Sequence, residues 1–116
     1  MLHQMRLNPA PFEQIRQGDK TIELRLYDKK RQTVKPNDII EFTNLRNGDT
    51  VCARVVAMHI FESFEELYSA LPLLKCGYTP QNINTASPDD MDQYYSKEEQ
   101  VRWSVVGIEI ELIAAG

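Results

Sequence analysis

Alternation of apolar and polar residues predicts five β-strands along the chain. The clearest alternation lies in residues 21–27, where Ile22, Leu24 and Leu26 are separated by polar side chains. Because successive side chains of a strand point to opposite faces, these three predict one buried face. The other face, with Glu23 and Arg25, is predicted to point away from the core. The remaining strands are predicted at residues 3–7, 39–45, 50–61 and 103–113.

Helix start and stop signals predict three short helices between the strands. Asn8 before a proline begins the first, and Gly18 ends it as a left-handed residue. Ser63, with Glu66 three residues later, begins a second that runs to about residue 71. Ser87, before Pro88 and two aspartates, begins a third that runs to about residue 100.

The connections complete the predicted architecture. Asn47-Gly48-Asp49 predicts a hairpin, and residues 28–35 form a polar, basic connector with room for a single helical turn. Residues 72–86 are predicted to be a loop. Five strands with short flanking helices indicate an α+β protein whose sheet curls into a small open or closed barrel. We expect one domain over residues 1–116.

Composition excludes several classes of protein. Apolar residues make up 42% of the chain and recur along its whole length, which excludes long disorder. Two cysteines in 116 residues are too few for a disulfide scaffold. No apolar run approaches the roughly 18 residues that span a bilayer, and the first residues lack the apolar core of a signal peptide. We therefore expect a cytoplasmic protein with no membrane partner.

Charge is distributed unevenly. The net charge is -4 and the pI is about 5.1, whereas domains that bind nucleic acid by bulk charge usually have a pI above about 9. Residues 1–58 nevertheless carry ten Lys/Arg against seven Asp/Glu, and residues 59–116 carry three against ten. Seven of the basic residues lie in residues 16–35. Such a local basic face suits a short or single-stranded nucleic acid or a nucleotide, and equally a solvated surface without a partner.

No motif indicates a metal or a cofactor. The residues Cys52, Cys76, His3 and His59 have no metal-ligand spacing, and ordinary core or surface roles suit them. The sequence also lacks a Walker loop, a GxSxG elbow and a dinucleotide fingerprint.

One polar cluster is a candidate for chemistry. A turn at Gly18 places Lys20 just before the strand at residues 21–27. Alternation places Glu23 and Arg25 on one face of that strand. At a rise of about 3.3 Å per residue the three groups lie within about 10 Å of each other. Such a cluster can neutralise an anion, activate a water or lower the pKa of the lysine so that it can act as a general base. The alternative is a surface salt-bridge ladder of little energetic value.

These residues also carry a resemblance to a known family. The chain resembles the ASCH domain family of the PUA-like superfamily, named after activating signal cointegrator homology. The matching features are Leu7-Asn8-Pro9, Phe12, Gly18-x-Lys20-Thr21-x-Glu23-x-Arg25, Pro36-x-Asp38 and the closing Val105-Val106-Gly107-Ile108-Glu109-Ile110. The resemblance covers essentially the whole chain.

The resemblance implies a small PUA-like β-barrel with a polar cleft, and RNA or a nucleotide or nucleoside derivative as its ligand. Some relatives are amidohydrolases that deacetylate N4-acetylcytidine, and others are linked to RNA cleavage. In the amidohydrolases the motif lysine is catalytic, which corresponds to Lys20 here. A catalytic threonine of that branch corresponds to Glu23, which serves either as a general base or as an ion-pair partner of Arg25. For a further catalytic carboxylate the candidates by location are Glu65, Glu66 and Glu98.

Binding residues are expected around this cluster. We expect Asn8, Thr21 and Arg25 to contact the ligand. Lys29, Lys30 and Arg31 would bind phosphates as a sequence-independent contact, or else form a solvated loop. Tyr94, Tyr95 and Trp103 would offer stacking surfaces for bases, although adjacent tyrosines point in different directions, so that at least one is expected to pack on the core.

Three functions remain open from the sequence. The first is an RNA- or nucleotide-binding ASCH domain, and the second is a hydrolase of a modified nucleoside or of RNA, with Lys20 and Glu23 catalytic. The third is a protein-interaction module that uses the acidic C-terminal half. The convergence of polar residues on one strand favours the first two.

Overall fold

A single curled sheet forms the scaffold of the computed structural model, which describes residues 1–113. Its strands are β1 (Leu2–Leu7), β2 (Ile22–Leu26), β3 (Ile39–Asn44), β4 (Thr50–Phe61) and β5 (Val105–Leu112). Their order in the sheet is β1-β3-β4-β5-β2, with β1 and β3 parallel and the other neighbours antiparallel. The sheet curls into a half-barrel with short helices around it, so the predicted α+β fold is confirmed.

Three α-helices lie at the connections: α1 (Pro9–Arg16), α2 (Phe64–Ala70) and α3 (Lys97–Trp103). Short 3₁₀ helices lie at Arg31–Thr33, Leu73–Lys75, Ile83–Thr85 and Pro88–Gln93. The Ser63 hydroxyl caps α2 by accepting from the Glu66 N–H, as the sequence predicted. The predicted hairpin turn joins β3 to β4, with Gly48 at a φ of 78°.

The single helix predicted from Ser87 to about residue 100 is wrong. A 3₁₀ helix that Ser87 caps ends at Gln93, and α3 begins separately at Lys97. The cause is a second capping box, in which the Ser96 hydroxyl accepts from the Glu99 N–H while the Glu99 carboxylate accepts from the Ser96 N–H. This break leaves Tyr94 and Tyr95 on a short irregular segment.

Apolar side chains form two core clusters. The larger contains Phe12 and Ile15 of α1 together with Phe42, Val106 and Ile108 of the sheet. The smaller joins α2 to β2 and the start of β5; its buried residues are Ile22, Leu24, Leu26, Phe64, Leu67, Cys76, Met91 and Val105. Because neighbouring residues of β5 belong to different clusters, both faces of the sheet are covered at this strand.

The predicted exposure of one face of β2 is also wrong. Glu23 pairs across the ladder with Ile108, and Arg25 pairs with Val106, so these polar side chains share a sheet face with residues of the larger core. Glu23 is only 3% exposed. The curl of the sheet and the packing of α2 against β2 bury both faces, which alternation alone does not reveal. The polar face of β2 therefore points into the half-barrel.

Across residues 1–113, no helix has the length and apolar character needed to cross a membrane.

Candidate functional site

The two edge strands of the sheet approach each other on the concave side. Arg25 of β2 donates from Nη2 to the main-chain oxygen of Arg6 in β1 at 2.8 Å, and Lys30 Nζ donates to the Gln4 oxygen at 2.7 Å. Both acceptors belong to the free edge of β1, so two cationic side chains occupy the gap that keeps the barrel open. The candidate site lies at this gap.

A cleft of about 440 Å³ opens beside the gap, and we refer to it as the main cleft. Its walls come from the end of β1, from α1, from β2 and from the segments around residues 76–82 and 90–95. The polar side chains in these walls are Arg6, Asn8, Gln14, Lys20, Glu23, Arg25, Tyr68, Tyr78, Asn82, Asp90, Gln93, Tyr94 and Tyr95.

A buried cluster of three charges forms one wall of the main cleft. One Glu23 carboxylate oxygen lies 2.7 Å from Lys20 Nζ, and the other accepts from Arg25 Nε at 2.7 Å. Lys20 is 8% exposed and Glu23 is 3% exposed, so these ion pairs are largely removed from water. Glu23 is therefore an ion-pair partner of both Lys20 and Arg25. With two cations and one carboxylate, the formal net charge of the cluster is +1.

Both partners of Glu23 keep its carboxylate ionised. Burial on its own raises the pKa of Glu23, but the charges of and hydrogen bonds from Lys20 and Arg25 outweigh it, so that the pKa falls to about 2. The same carboxylate raises the pKa of Arg25 against the opposing effect of burial. At neutral pH the cluster therefore presents fixed positive donors beside a carboxylate that is a very weak base.

Main-chain geometry positions Lys20. Gly18 follows α1 at a φ of 85°, and the N–H groups of Asp19 and Lys20 both donate to the Gln14 oxygen, at 2.9 and 3.0 Å. The Thr21 N–H then donates to the Lys75 oxygen at 2.9 Å, which ties the start of β2 to the segment that follows α2. The lysine is therefore held by a turn at one end and by a strand at the other.

Gly77 allows a close approach on the opposite side of this lysine. Its carbonyl accepts from Gln14 Nε2 at 3.0 Å, and its φ is 110°. A Cβ at this position would lie 3.3 Å from Gln14 Oε1 and 3.4 Å from Lys20 Cδ. A residue without a side chain therefore leaves room for the lysine stem in the wall of the cleft.

A chain of hydroxyl groups lies on the far wall. Tyr78 donates from its hydroxyl to Asp90 Oδ2 at 2.7 Å, and the Tyr68 hydroxyl lies 2.7 Å from the Tyr78 hydroxyl. Because Tyr78 gives its proton to the carboxylate, Tyr68 is the donor to Tyr78. Burial and this partnership with Tyr68 and Asp90 raise the pKa of Tyr78 far above its ordinary value. Both tyrosines are therefore neutral groups that shape the wall.

Of the predicted stacking residues, two line the cleft. Tyr94 is 56% exposed. Tyr95 packs on the smaller core and stacks on Phe64 with ring centroids 6.3 Å apart, as expected for one of two adjacent tyrosines. Trp103 packs against the smaller core and carries the Arg102 guanidinium 4.9 Å from its ring centroid.

The predicted site residues divide into three groups. The main cleft is lined by Asn8, Lys20, Glu23 and Arg25. Lys30 and Arg31, with Arg25 again, line a second cleft on the other side of the gap. Within residues 1–113, Thr21 and Lys29 line neither cleft.

The carboxylates of the region are not where the sequence suggested. Glu65, Glu66 and Glu98 are exposed helix residues outside both clefts in the described part of the chain. Asp90 lines the main cleft instead. The sequence indicates its place three residues after Ser87 at the start of a helix. Its hydrogen bond from the Tyr78 hydroxyl is a tertiary contact, which spacing along the chain does not reveal. Gln14 and Tyr78 carried no sequence signal.

The donors of the cleft suit acceptor groups of a ligand. Lys20 Nζ has three N–H donors and one carboxylate partner, so donors remain for a carbonyl or phosphate oxygen. Asparagine and glutamine side chains on the walls add both donors and acceptors, and Tyr94 adds an exposed ring. Residues 1–113 contain no group of three or more His, Cys, Asp or Glu side chains suited to a metal ion.

Comparison with known proteins gives a family model and several solved structures. The model of the ASCH domain matches residues 5–114. The crystal structure of hypothetical protein PH0355 is 32% identical with a TM-score of 0.81, covering 97% of this chain and 100% of that one. The solution structure of protein PF0455 from Pyrococcus furiosus is 31% identical with a TM-score of 0.73, covering 99% and 100%.

A more distant structure agrees in fold. The crystal structure of ASCH from Zymomonas mobilis is 15% identical with a TM-score of 0.68, covering 95% of this chain and 66% of that one. No protein of curated function matches this chain.

Proposed function

The chain belongs to the ASCH domain family, and on that premise we propose that its main cleft binds single-stranded RNA or a nucleotide derivative. The buried Lys20–Glu23–Arg25 cluster carries the proposal, because a buried cation with free N–H donors in an open cleft is suited to an acceptor-rich ligand. RNA and nucleotides supply such acceptors as base carbonyl groups and phosphate oxygens.

The shape of the cleft supports a single-stranded ligand. A base that reaches Lys20 must enter the main cleft between its walls, which requires it to be unstacked and unpaired. Tyr94 stands exposed on the wall and can cover the face of such a base, while the amides of Asn8 and Gln93 can pair with its edge. The net charge of -4 argues against binding of long duplexes by charge alone.

A binding measurement tests this proposal. Fluorescence anisotropy of a labelled, mixed-sequence, single-stranded RNA at low salt would compare the natural chain with Lys20→Met and Lys29→Met. Lys20→Met should weaken binding about tenfold or more, since a charged hydrogen bond is worth about 1.5–3 kcal/mol. Lys29→Met removes the same charge outside both clefts and should have a much smaller effect. Equal binding by the natural chain and Lys20→Met would overturn the proposal.

One observation favours hydrolysis as a second candidate function. Lys20 is held rigidly by Glu23 with donors left over, which suits a group that stabilises the negative charge of a tetrahedral intermediate. In this scheme Lys20 contacts the reacting atoms and Glu23 acts on it as a positioning residue. The very low pKa of Glu23 makes the carboxylate a poor proton acceptor, so proton transfer would involve another group or water.

Hydrolysis has its own test. End-labelled RNA and N4-acetylcytidine would be incubated separately with the natural chain and with Lys20→Met, whose fold is checked by circular dichroism. Shortened RNA on a denaturing gel, or free cytidine, that disappears with Lys20→Met would support an enzyme. Turnover that persists unchanged in the variant would exclude this role of Lys20, and RNA that is bound but intact would leave binding as the function.

A further inference from the structure

A second cleft lies on the other side of the Arg25–Arg6 hydrogen bond. We refer to it as the basic cleft; its lining residues are Gln4, Met5, Arg6, Arg25, Lys30, Arg31 and Thr43. Arg6 and Arg25 also line the main cleft, so the two clefts are contiguous across this bond. Four of the seven lining residues are cations and none is acidic.

The positive charge of the basic cleft is only partly balanced. Asp28 pairs with Arg31, and Glu23 pairs with Arg25, but both carboxylates lie outside the lining. Desolvation, followed by the charges of Arg31 and Arg25, lowers the pKa of Lys30. Four cations share one small cleft, and an anion between them would relieve their mutual repulsion.

One donor of a residue that lines this cleft has no hydrogen-bond partner within residues 1–113. Arg31 Nε is buried and makes no hydrogen bond within the described structure, although Nη1 of the same guanidinium is 3.2 Å from Asp28 Oδ2. Buried polar groups are nearly always paired, and an unpaired one is costly unless a ligand or water completes it. Lys30 Nζ uses one of its three donors on the Gln4 oxygen, which leaves two.

From this geometry we infer that the basic cleft binds a phosphate group of the same ligand whose base lies in the main cleft, with Arg31 and Lys30 as its donors and Arg25 between the two subsites. The inference rests on the proposed function of the main cleft and restricts the possible ligands to phosphorylated ones. The ligand is a phosphorylated nucleotide or a phosphodiester strand, and a free nucleoside fills only half of the site. Guanidinium and ammonium donors together are a common phosphate-binding set.

The experiment compares ligands with and without phosphate. Isothermal titration of the full chain would measure the affinity of each of the four ribonucleosides, their 5′- and 3′-monophosphates, and a mixed tetraribonucleotide with hydroxyl ends. At least one phosphorylated ligand should bind about tenfold tighter than its nucleoside. A preference for a monophosphate indicates a terminal phosphate, and a preference for the tetranucleotide indicates an internal phosphodiester.

A matched pair of variants assigns the effect to the basic cleft. In Lys30→Ala the ratio of the affinity for the phosphorylated ligand to that for its nucleoside should fall towards one. In Lys29→Ala, which removes the neighbouring exposed charge, this ratio should stay about tenfold. In addition, inorganic phosphate should shift the NMR resonance of the Arg31 Nε–H group in the natural chain. This last readout needs no variant and is independent of folding changes.

The outcomes separate this inference from the proposed function. One outcome would overturn the inference and leave the proposed function standing. In it, nucleosides and RNA bind in a Lys20-dependent way, phosphorylated ligands bind no tighter than nucleosides, and the Arg31 Nε–H resonance does not shift. A phosphate advantage that Lys30→Ala leaves intact would also overturn it. Phosphate that shifts Arg31 while no nucleotide or RNA binds would overturn both the shared-ligand inference and the proposed function.

Discussion

Arg25 Nη2 donates a hydrogen bond of 2.8 Å to the main-chain oxygen of Arg6, and this contact joins the strands at the two ends of the sheet. The same guanidinium holds Glu23 through Nε at 2.7 Å. One side chain thus limits the opening of the half-barrel, orients the buried carboxylate that fixes Lys20, and separates the main cleft from the basic cleft. Its planar fork of donors suits these simultaneous contacts.

Arg25→Lys is predicted to destabilise the fold although it keeps the charge. One ammonium group cannot hold Glu23 and the Arg6 oxygen in the same geometry. The free energy of unfolding in guanidinium chloride should fall by about 1–3 kcal/mol, the cost of a lost hydrogen bond to a charged group. Arg54→Lys, at an exposed pair with Glu111, is the matched control and should change it by less than about 0.5 kcal/mol. Equal effects of both substitutions would contradict this role of Arg25.

Acid is predicted to remove the stabilisation that Glu23 provides. Its folded-state pKa of about 2 lies below the ordinary 4.5, so the folded state binds fewer protons than the unfolded state as the pH falls. The contribution is complete above about pH 4.5 and is lost on the way to about pH 2; it amounts to about 3 kcal/mol. Urea unfolding at several pH values measures it.

The control for this pH dependence is Asp38→Asn. Asp38 also has its pKa lowered to about 2, chiefly by its hydrogen bond with His3, and it titrates in the same range. In the Asp38→Asn background the remaining slope should become smaller on Glu23→Gln, with Asp92, whose pKa is lowered by its hydrogen bond from Gln100, among the groups that still contribute. At neutral pH Glu23→Gln should itself cost about 3–5 kcal/mol, because it leaves Lys20 and Arg25 buried without a counter-charge. An unchanged slope after Glu23→Gln would show that this carboxylate is not the group involved.

Gly77→Ala is predicted to impair the cleft as well as the backbone. The new Cβ would meet Gln14 Oε1 and Lys20 Cδ in addition to adopting a strained positive φ. Gly48→Ala is the comparison, since Gly48 also has a positive φ but a Cβ added there would have no neighbouring atom within 4 Å. Each substitution should cost about 1–2 kcal/mol of backbone strain, but only Gly77→Ala should weaken RNA binding. RNA binding that is lost equally in both variants would count against the role of Gly77 beside Lys20.

The thiol of Cys76 is predicted to react slowly in the folded protein. Burial raises its pKa to about 11, with Lys20 opposing this effect and Glu23 adding to it. In a Cys52→Ser background, alkylation by iodoacetamide at pH 8 should be much slower in the folded state than in 6 M guanidinium chloride, because the thiolate is the reactive form. Mass spectrometry over time measures both rates. Rapid modification of the folded chain would mean that the Cys76 side of the cleft opens.

Local patterns predicted most elements of the fold. The bounds of β4 were predicted residue for residue at Thr50–Phe61, and the hairpin at Asn47-Gly48-Asp49 joins β3 to β4 as expected. These features depend on alternation and turn chemistry, which are local properties. The last strand, predicted from residue 103, begins at Val105 because Trp103 ends α3. Two larger errors, in β2 and in the region of Ser87 to Gln100, have different origins. The error in β2 arises from the curl of the sheet, which is a tertiary effect. The error after Ser87 arises because Ser96 begins a separate helix through its own capping box, which is a local signal.

The candidate site was predictable only in part. Lys20, Glu23 and Arg25 belong to one short motif, so strand geometry was enough to bring them together. Their burial was not predictable, because it depends on the curl of the sheet, which places the polar face of β2 inside the half-barrel. The contacts of Gln14 with Gly77 and of Tyr78 with Asp90 join residues 63 and 12 positions apart. No spacing rule connects such pairs, since they meet only once the loop after α2 folds back over the cleft.

Locating a bound base on the protein tests RNA binding in the main cleft most directly. Single-stranded RNA containing 4-thiouridine would be crosslinked to the full chain by light, and the modified peptides would be identified by mass spectrometry. We expect crosslinks on the walls of the main cleft, chiefly at Tyr94, Tyr95 or Tyr78, with yields that fall in Lys20→Met. Crosslinks confined to residues outside the main cleft, or yields that Lys20→Met leaves unchanged, would contradict it.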